Sequence, residues 1–294
     1  MSYETRSVFI MKKKSVMYSS RGFTLVELLV VIAIIALLMG LLMPGLAAAR
    51  RQAKNVKDMA NLRQWGIMFI LFAEDHNGKL MGGWNSGTMW MTDLLRYYKG
   101  SNNVCLCPMA STDFRSKYPS TFLFVGTSTT DQTFLAWGKF GENGYSRPVW
   151  GTPGLYGSYG INGWAHDPPD TGVAGTFNIS TTDSPKYWRT INIKQTSSVP
   201  LFGDCMYDGS QPEPDDPPPT IKGVEQKLSD MSIWCIDRHK GGINMTFMDG
   251  STRKVGLKEL WKLKWHRSYD TNRNHPPNFW PAWMNVYKDY KTAE

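Results

Sequence analysis

Glu27 is the one charged side chain in the apolar stretch of residues 23–46. A carboxylate at the centre of a bilayer costs a few kcal/mol, so it calls for a shallow position or a positively charged partner. Its chemistry is therefore ion pairing. Four cysteines, Cys105, Cys107, Cys205 and Cys235, offer thiol chemistry, and four thiols allow three complete pairings. Cys105 and Cys107 would share one side of an extended strand but could bond each other only with distortion. A long-range bridge from one of them to Cys205 or Cys235 is expected if this part of the chain lies outside the cytoplasm, where disulfides persist. A zinc centre fits the spacing poorly, because structural zinc sites usually supply paired ligands two to four residues apart, and Cys205 and Cys235 stand alone.

His239 and Asp249-Gly250 form the other suggestive spacing. If residues 243–248 are a strand, its rise separates His239 from Asp249 by roughly 20 Å, too far to share an ion within one subunit. Both are expected as turn residues that satisfy local backbone groups. Asp204 is an additional carboxylate for this region, with no strand neighbour that the sequence identifies. No zinc-protease His-Glu-x-x-His, serine-hydrolase elbow, phosphate loop or dinucleotide fingerprint occurs, and the Gly-rich text of residues 138–144 has the wrong spacing. The expectation is no catalytic residue, no metal and no cofactor.

These residues need elements to hold them. Residues 23–46 make a helix of about 36 Å, enough for a hydrocarbon core of about 30 Å. An uncleaved signal anchor would show the same feature. A secretory signal has a shorter apolar core, and the run before Ala47-Ala48-Ala49 is too long for one. Pro44 removes a backbone donor, so a kink or local melting is expected between Gly40 and Gly45. Beyond it, Ala49, Ala53, Val56 and Ala60, then Met59, Leu62, Gly66, Phe69 and Ala73, recur at helical spacing. Arg51, Lys54, Lys57, Asp58, Arg63 and Gln64 occupy much of the remaining surface. One helix is expected to run to about Glu74 and stop at Asp75-His76-Asn77-Gly78, a turn rather than a calcium loop.

A second short helix is expected over residues 88–98, burying Trp90, Leu94, Leu95 and Tyr98 against the first. Residues 111–196 read as short strands and long loops, residues 211–220 as an exposed proline-rich loop. Residues 232–236, 243–248 and 251–255 read as a three-stranded antiparallel meander. The chain has 294 residues and a net charge of +8. Arg6, Lys12, Lys13, Lys14 and Arg21 against Glu4 place half of that before residue 23, a surplus that favours a cytoplasmic N-terminus. The remainder is too weakly basic to support nucleic-acid binding. Part of it, from Arg50 to Lys57, could meet lipid headgroups.

Gly22-Phe23-Thr24-Leu25-Val26-Glu27 resembles the processing site of type IV prepilins and pseudopilins. The resemblance implies that a prepilin peptidase cuts between Gly22 and Phe23 and methylates the new amine of Phe23. It also implies that Glu27, fifth in the mature chain, pairs with the N-terminal amine of a neighbouring subunit. Pro44 then stands where many type IV pilins carry a helix-loosening proline. His239 with Asp249-Gly250 resembles the C-terminal signature of pilin-like proteins from planctomycete and lentisphaera-like bacteria. Cys107-Pro108, Tyr159-Gly160-Ile161-Asn162 and Leu201-Phe202-Gly203-Asp204 resemble further landmarks of that group.

The implied architecture is α+β: a leader (1–22), a transmembrane and filament-core helix (23–46), its amphipathic continuation (47–78) and an extracytoplasmic head with an antiparallel sheet (79–294). The implied function is that of a subunit of a type II secretion or type IV pilus-like filament, anchored by one pass in the inner membrane. Its partners would be the peptidase, other pilin-like subunits and the inner-membrane assembly machinery. A pilin-anchored module that binds glycan or cargo, or a tethered enzyme, is the alternative.

Overall fold

Thr24 and Glu27 start the long helix together. In the computed structural model, which describes residues 23–83, 89–99, 102–111, 131, 133–138, 155–169, 173–174, 177–178, 183–223 and 229–288, α1 spans Leu25–Asp75. The Glu27 amide donates to Thr24 Oγ1 at 3.2 Å, and Glu27 Oε2 accepts from the Thr24 amide at 2.8 Å. This reciprocal capping box satisfies donors that a helix start otherwise leaves orphaned. The chain stays helical through Gly40, Pro44 and Gly45, so the expected local melting does not occur. One donor lost to proline is a small fraction of the hydrogen bonding in 51 helical residues. The helix ends where the sequence placed its stop, with Asn77 and Gly78 at φ 58° and 79° and the Gly78 amide donating to Ala73 O.

By its internal contacts the chain divides into Met1–Arg50 and Arg51–Glu294. In the first unit the described side chains, residues 23–50, are all exposed, on a helix long and apolar enough to cross a membrane. The second unit holds the core. Its strands, with those of the intervening loops, are β1 (Trp137–Gly138), β2 (Tyr156–Gly157), β3 (Tyr159–Asn162), β4 (Val173–Ala174), β5 (Phe177–Asn178), β6 (Pro200–Asp204), β7 (Gly209–Ser210), β8 (Gly242–Phe247) and β9 (Thr252–Gly256). A five-stranded sheet runs β7-β3-β6-β8-β9, antiparallel except for the parallel pair β3 and β7.

Residues opposite one another in a sheet share a face, so register shows what α1 meets. Tyr159 lies opposite Asp204, Ile161 opposite Phe202, and Phe202 opposite Thr246. Tyr159, Ile161, Phe202, Asp204, Asn244 and Thr246 therefore form one face, and the head half of α1 covers it. Trp65 and Phe69 pack on Phe202 with ring centroids at 6.2 and 5.8 Å. Asn244 and Thr246 alternate with Ile243, Met245 and Phe247, a pattern that ordinarily sends the polar set to water. Here both sets are buried. The polar set lies under the helix, with Asn244 hydrogen bonded to Asn55 and Asp58.

Three local expectations are revised. The segment expected as one helix over residues 88–98 is two turns in its described part, α2 (Trp90–Asp93) and α3 (Leu95–Tyr98), although Trp90 and Tyr98 do pack on Trp65 at 4.8 and 4.9 Å. Residues 232–236 do not form the first strand of a meander, because Asp230–Ile233 is a 3-10 turn capped by Ser229, and β6 takes the place beside β8. The proline-rich segment is a packed strap rather than an exposed loop. Its carbonyls need donors, and the indoles of Trp164, Trp261 and Trp283 supply them to Pro212, Asp216 and Pro219 at 2.9–3.0 Å. The apolar segment 121–125 and the Gly-rich residues 139–144 lie outside the described residues.

At Gly66 α1 comes close against the sheet. A Cβ there would stand 2.5 Å from Thr246 Cγ2, and Thr246 is held by a 2.7 Å hydrogen bond to Thr252. Helix propensity alone favours Gly66→Ala by about 1 kcal/mol. The clash reverses the sign, and urea unfolding of the purified protein should show a loss of about 1–3 kcal/mol. In a Thr246→Ser background, which lacks Cγ2, the loss should shrink. An equal loss in both backgrounds would dissociate the effect from this contact.

His166 generates a second prediction. Burial lowers it to about 4, even though its Nδ1 lies 2.9 Å from Gly163 O. The folded state therefore holds it neutral while the unfolded chain protonates near pH 6.5. The resulting stabilisation is present above pH 6.5 and is lost as pH falls towards 4, roughly 3 kcal/mol across the window. His166→Asn should flatten the urea-midpoint profile between pH 6.5 and 4. An unchanged profile would show that other groups set it.

Candidate functional site

The end that carries the expected processing site is described only from Phe23 onward. Residues 1–22, with Gly22, lie outside the described residues, while Phe23 is exposed at the head of α1. Glu27 is held by Thr24 of its own chain, whose amide and Oγ1 both donate to Glu27 Oε2, at 2.8 and 2.7 Å. The Thr-x-x-Glu spacing was the signal for this cap, and the sequence reading passed over it. It leaves the carboxylate solvated by its own helix start and still able to accept from a further donor.

The second site is inside the head, and the sequence reading missed it. Asp58 from α1, Cys107 from the loop after α3, Asp204 at the end of β6 and His239 just before β8 bring one donor atom each within 4.8 Å of one another. All four are buried. His239 Nε2 lies 3.0 Å from Asp204 Oδ2, 3.2 Å from Asp58 Oδ2 and 3.5 Å from Cys107 Sγ. Tyr159 donates to Asp58 Oδ1 at 2.6 Å, and the Asn244 amide donates to Asp204 Oδ2 at 3.0 Å. Arg238, fully buried, donates to Asp204 Oδ1 and to the carbonyls of Thr133, Ser158 and Leu135. Asn244 Oδ1 is buried without a donor among the described residues.

The electrostatics follow from this packing. Burial works against a charged imidazole, yet hydrogen bonds and charge from Asp204 and Asp58 outweigh it and raise His239 to about 9. Burial also works against the Asp204 anion, but His239 and Arg238 hold its carboxyl well below the usual range. Asp58 has no guanidinium of its own. Burial and then the Asp204 charge push it upward. Burial with the two carboxylates raises the Cys107 thiol strongly, so it stays protonated while those neighbours carry their charge.

These contacts revise the reading of the C-terminal signature. His239 is not merely a turn residue satisfying local backbone; its ring is the hub of the buried cluster, although its amide does donate to Gly242 O. Asp249 lies beyond the other end of β8, exposed, accepting from the Ser251 amide and hydroxyl, so the two share nothing within the subunit. Gly250 adopts φ 77° in the turn between β8 and β9, and a Cβ there would press on Ile70 of α1 at 3.3 Å.

No disulfide joins Cys105 or Cys107 to Cys205 or Cys235. All four are buried and outside any disulfide. Cys107 Sγ faces His239, and Cys205 Sγ donates to Ile233 O at 3.5 Å. Asp58 escaped the sequence reading because it sits among charged residues on the polar side of the periodicity.

A model of the prokaryotic N-terminal methylation motif matches residues 17–43. The type IV wide pilus major component PilA4 of Thermus thermophilus is 56% identical over 61 residues, which are 21% of this chain and 47% of that protein. The chain thus spans about half the length of the relative it matches. No solved structure matches. The motif, the pilin-like N-terminal match and the apolar helix agree: this segment carries a prepilin-type methylation motif and is similar to the N-terminal part of a type IV pilin.

Proposed function

We propose that the chain is a filament subunit, cut between Gly22 and Phe23 by a prepilin peptidase, N-methylated at Phe23, and assembled into a type II secretion or type IV pilus-like fibre. The observation that carries this reading is the methylation motif lying on an apolar helix whose described side chains are all exposed up to Arg50. Such a surface needs lipid before assembly and neighbouring subunits after it. The single pass would be through the inner membrane, with the head outside the cytoplasm, and the partners would be the peptidase, other pilin-like subunits and the assembly machinery. A glycan-stacking head is less well supported, because no tryptophan is exposed among the described residues.

Glu27 separates anchoring from assembly. Glu27→Gln keeps an acceptor for the Thr24 cap but removes the charge that would meet the neighbouring Phe23 amine. Membrane fractionation should be unchanged, N-terminal mass spectrometry should still find methylated Phe23, and sheared-filament yield should collapse. An amine left without its carboxylate in a dry interface costs about 3–5 kcal/mol. Normal filament yield from Glu27→Gln would remove the ion pair from the proposal. An intact leader in cells with active peptidase would remove the proposal itself.

A further inference from the structure

Three potential ligand atoms crowd His239 Nε2: Asp204 Oδ2, Asp58 Oδ2 and Cys107 Sγ stand at 3.0, 3.2 and 3.5 Å from it. Asn244 donates to both carboxylate oxygens, yet all four atoms still converge within 4.8 Å of one another at one buried point. A metal ion at their common centre would bind every donor atom at once. Zinc bond lengths of about 2.0–2.2 Å to nitrogen and oxygen and about 2.3 Å to sulfur make tetrahedral edges of about 3.3 Å for N···O and about 3.6 Å for N···S. The three separations from His239 Nε2 fall just inside those edges, and the whole set of four donor atoms lies within 4.8 Å.

We propose that Asp58, Cys107, Asp204 and His239 form a buried structural site for one divalent transition ion, with zinc as the fitting ion. The ligand chemistry selects for it. One thiolate and one imidazole disfavour magnesium and calcium, which prefer oxygen throughout, and two carboxylates disfavour the all-sulfur preference of cuprous ion. When a divalent cation enters, His239 binds through an unprotonated Nε2 and Cys107 as the thiolate, so loading releases protons. Arg238 on Asp204 and Tyr159 on Asp58 are the groups that orient the carboxylates from behind. The ion ties together α1, the Cys107 loop, β6 and the turn before β8, which lie far apart in sequence. This inference stands on the head alone and holds whether or not the chain forms filaments.

The test uses the full-length chain, produced in medium supplemented with zinc or cobalt and purified in detergent without chelator. Elemental analysis should find about one zinc per folded chain. The cobalt-loaded protein should show a thiolate-to-cobalt charge-transfer band in the near ultraviolet. Cys107→Ser should abolish the band and lower metal content and melting temperature, whereas Cys235→Ser, which leaves the four ligands intact, should keep both band and stoichiometry. Circular dichroism establishes that each variant is folded, and if Cys107→Ser is not, Asp58→Asn serves in its place with loss of metal as the readout. Folded wild-type protein with less than about a tenth of an equivalent of metal would overturn the proposal. So would a cobalt band that survives Cys107→Ser.

Discussion

Two carboxylates, a guanidinium and an imidazole are buried together where the head half of α1 crosses the sheet, and none of them is tolerable there alone. An isolated buried ion costs several kcal/mol, while breaking a buried pair strands the other partner. Asp204 is the fixed point, because Arg238 and His239 approach its two oxygens separately. Asp58 is the weaker carboxylate, and it is the one that α1 brings. The helix therefore docks only in the rotation and translation that place Asp58 against His239, Tyr159 and Asn244. Apolar contacts such as Trp65 and Phe69 on Phe202 supply burial but tolerate sliding. The polar contacts do not.

The two halves of α1 solve opposite problems with the same device. At its start the helix carries a carboxylate in apolar text, and Thr24 satisfies it locally through a capping box. Farther along it carries a carboxylate in charged text, and the head satisfies it from distant elements. Local satisfaction leaves Glu27 exchangeable, since its donors belong to its own helix end and can be supplemented by an incoming amine. Satisfaction by Tyr159, Asn244 and His239 leaves Asp58 committed to one fold.

Much of the architecture was legible because it rests on local rules. The apolar run, the helical spacing of Leu62, Gly66, Phe69 and Ala73, and the stop at Asn77-Gly78 all reflect short-range geometry. The hairpin around Asp249-Gly250 was legible for the same reason. What failed was long-range. Asp58 looked solvated because Lys54, Asn55, Lys57 and Asn61 stand around it, and nothing local reports that Asn244 and His239 will arrive above it. Residues 232–236 look like a strand by composition, but Ser229 caps a 3-10 turn there and the sheet fills that position with β6. The proline-rich strap looked exposed because its acidic residues were visible and the indoles that grip its carbonyls were not.

The C-terminal signature joins these points. His239 and Gly250 lie just outside the two ends of β8, and each faces α1, His239 through Asp58 and Gly250 through the space beside Ile70. Between them, Asn244 and Thr246 present a polar ridge to Asn55, Asp58 and Gly66. A slip of β8 by one residue would turn Ile243 and Met245 towards the buried carboxylates and send Asn244 to the other face. It would also draw His239 away from Asp204. The spacing between His239 and Gly250 thus has a mechanical meaning: it is the length of strand that lets both ends lock on one helix while the register of the sheet is kept.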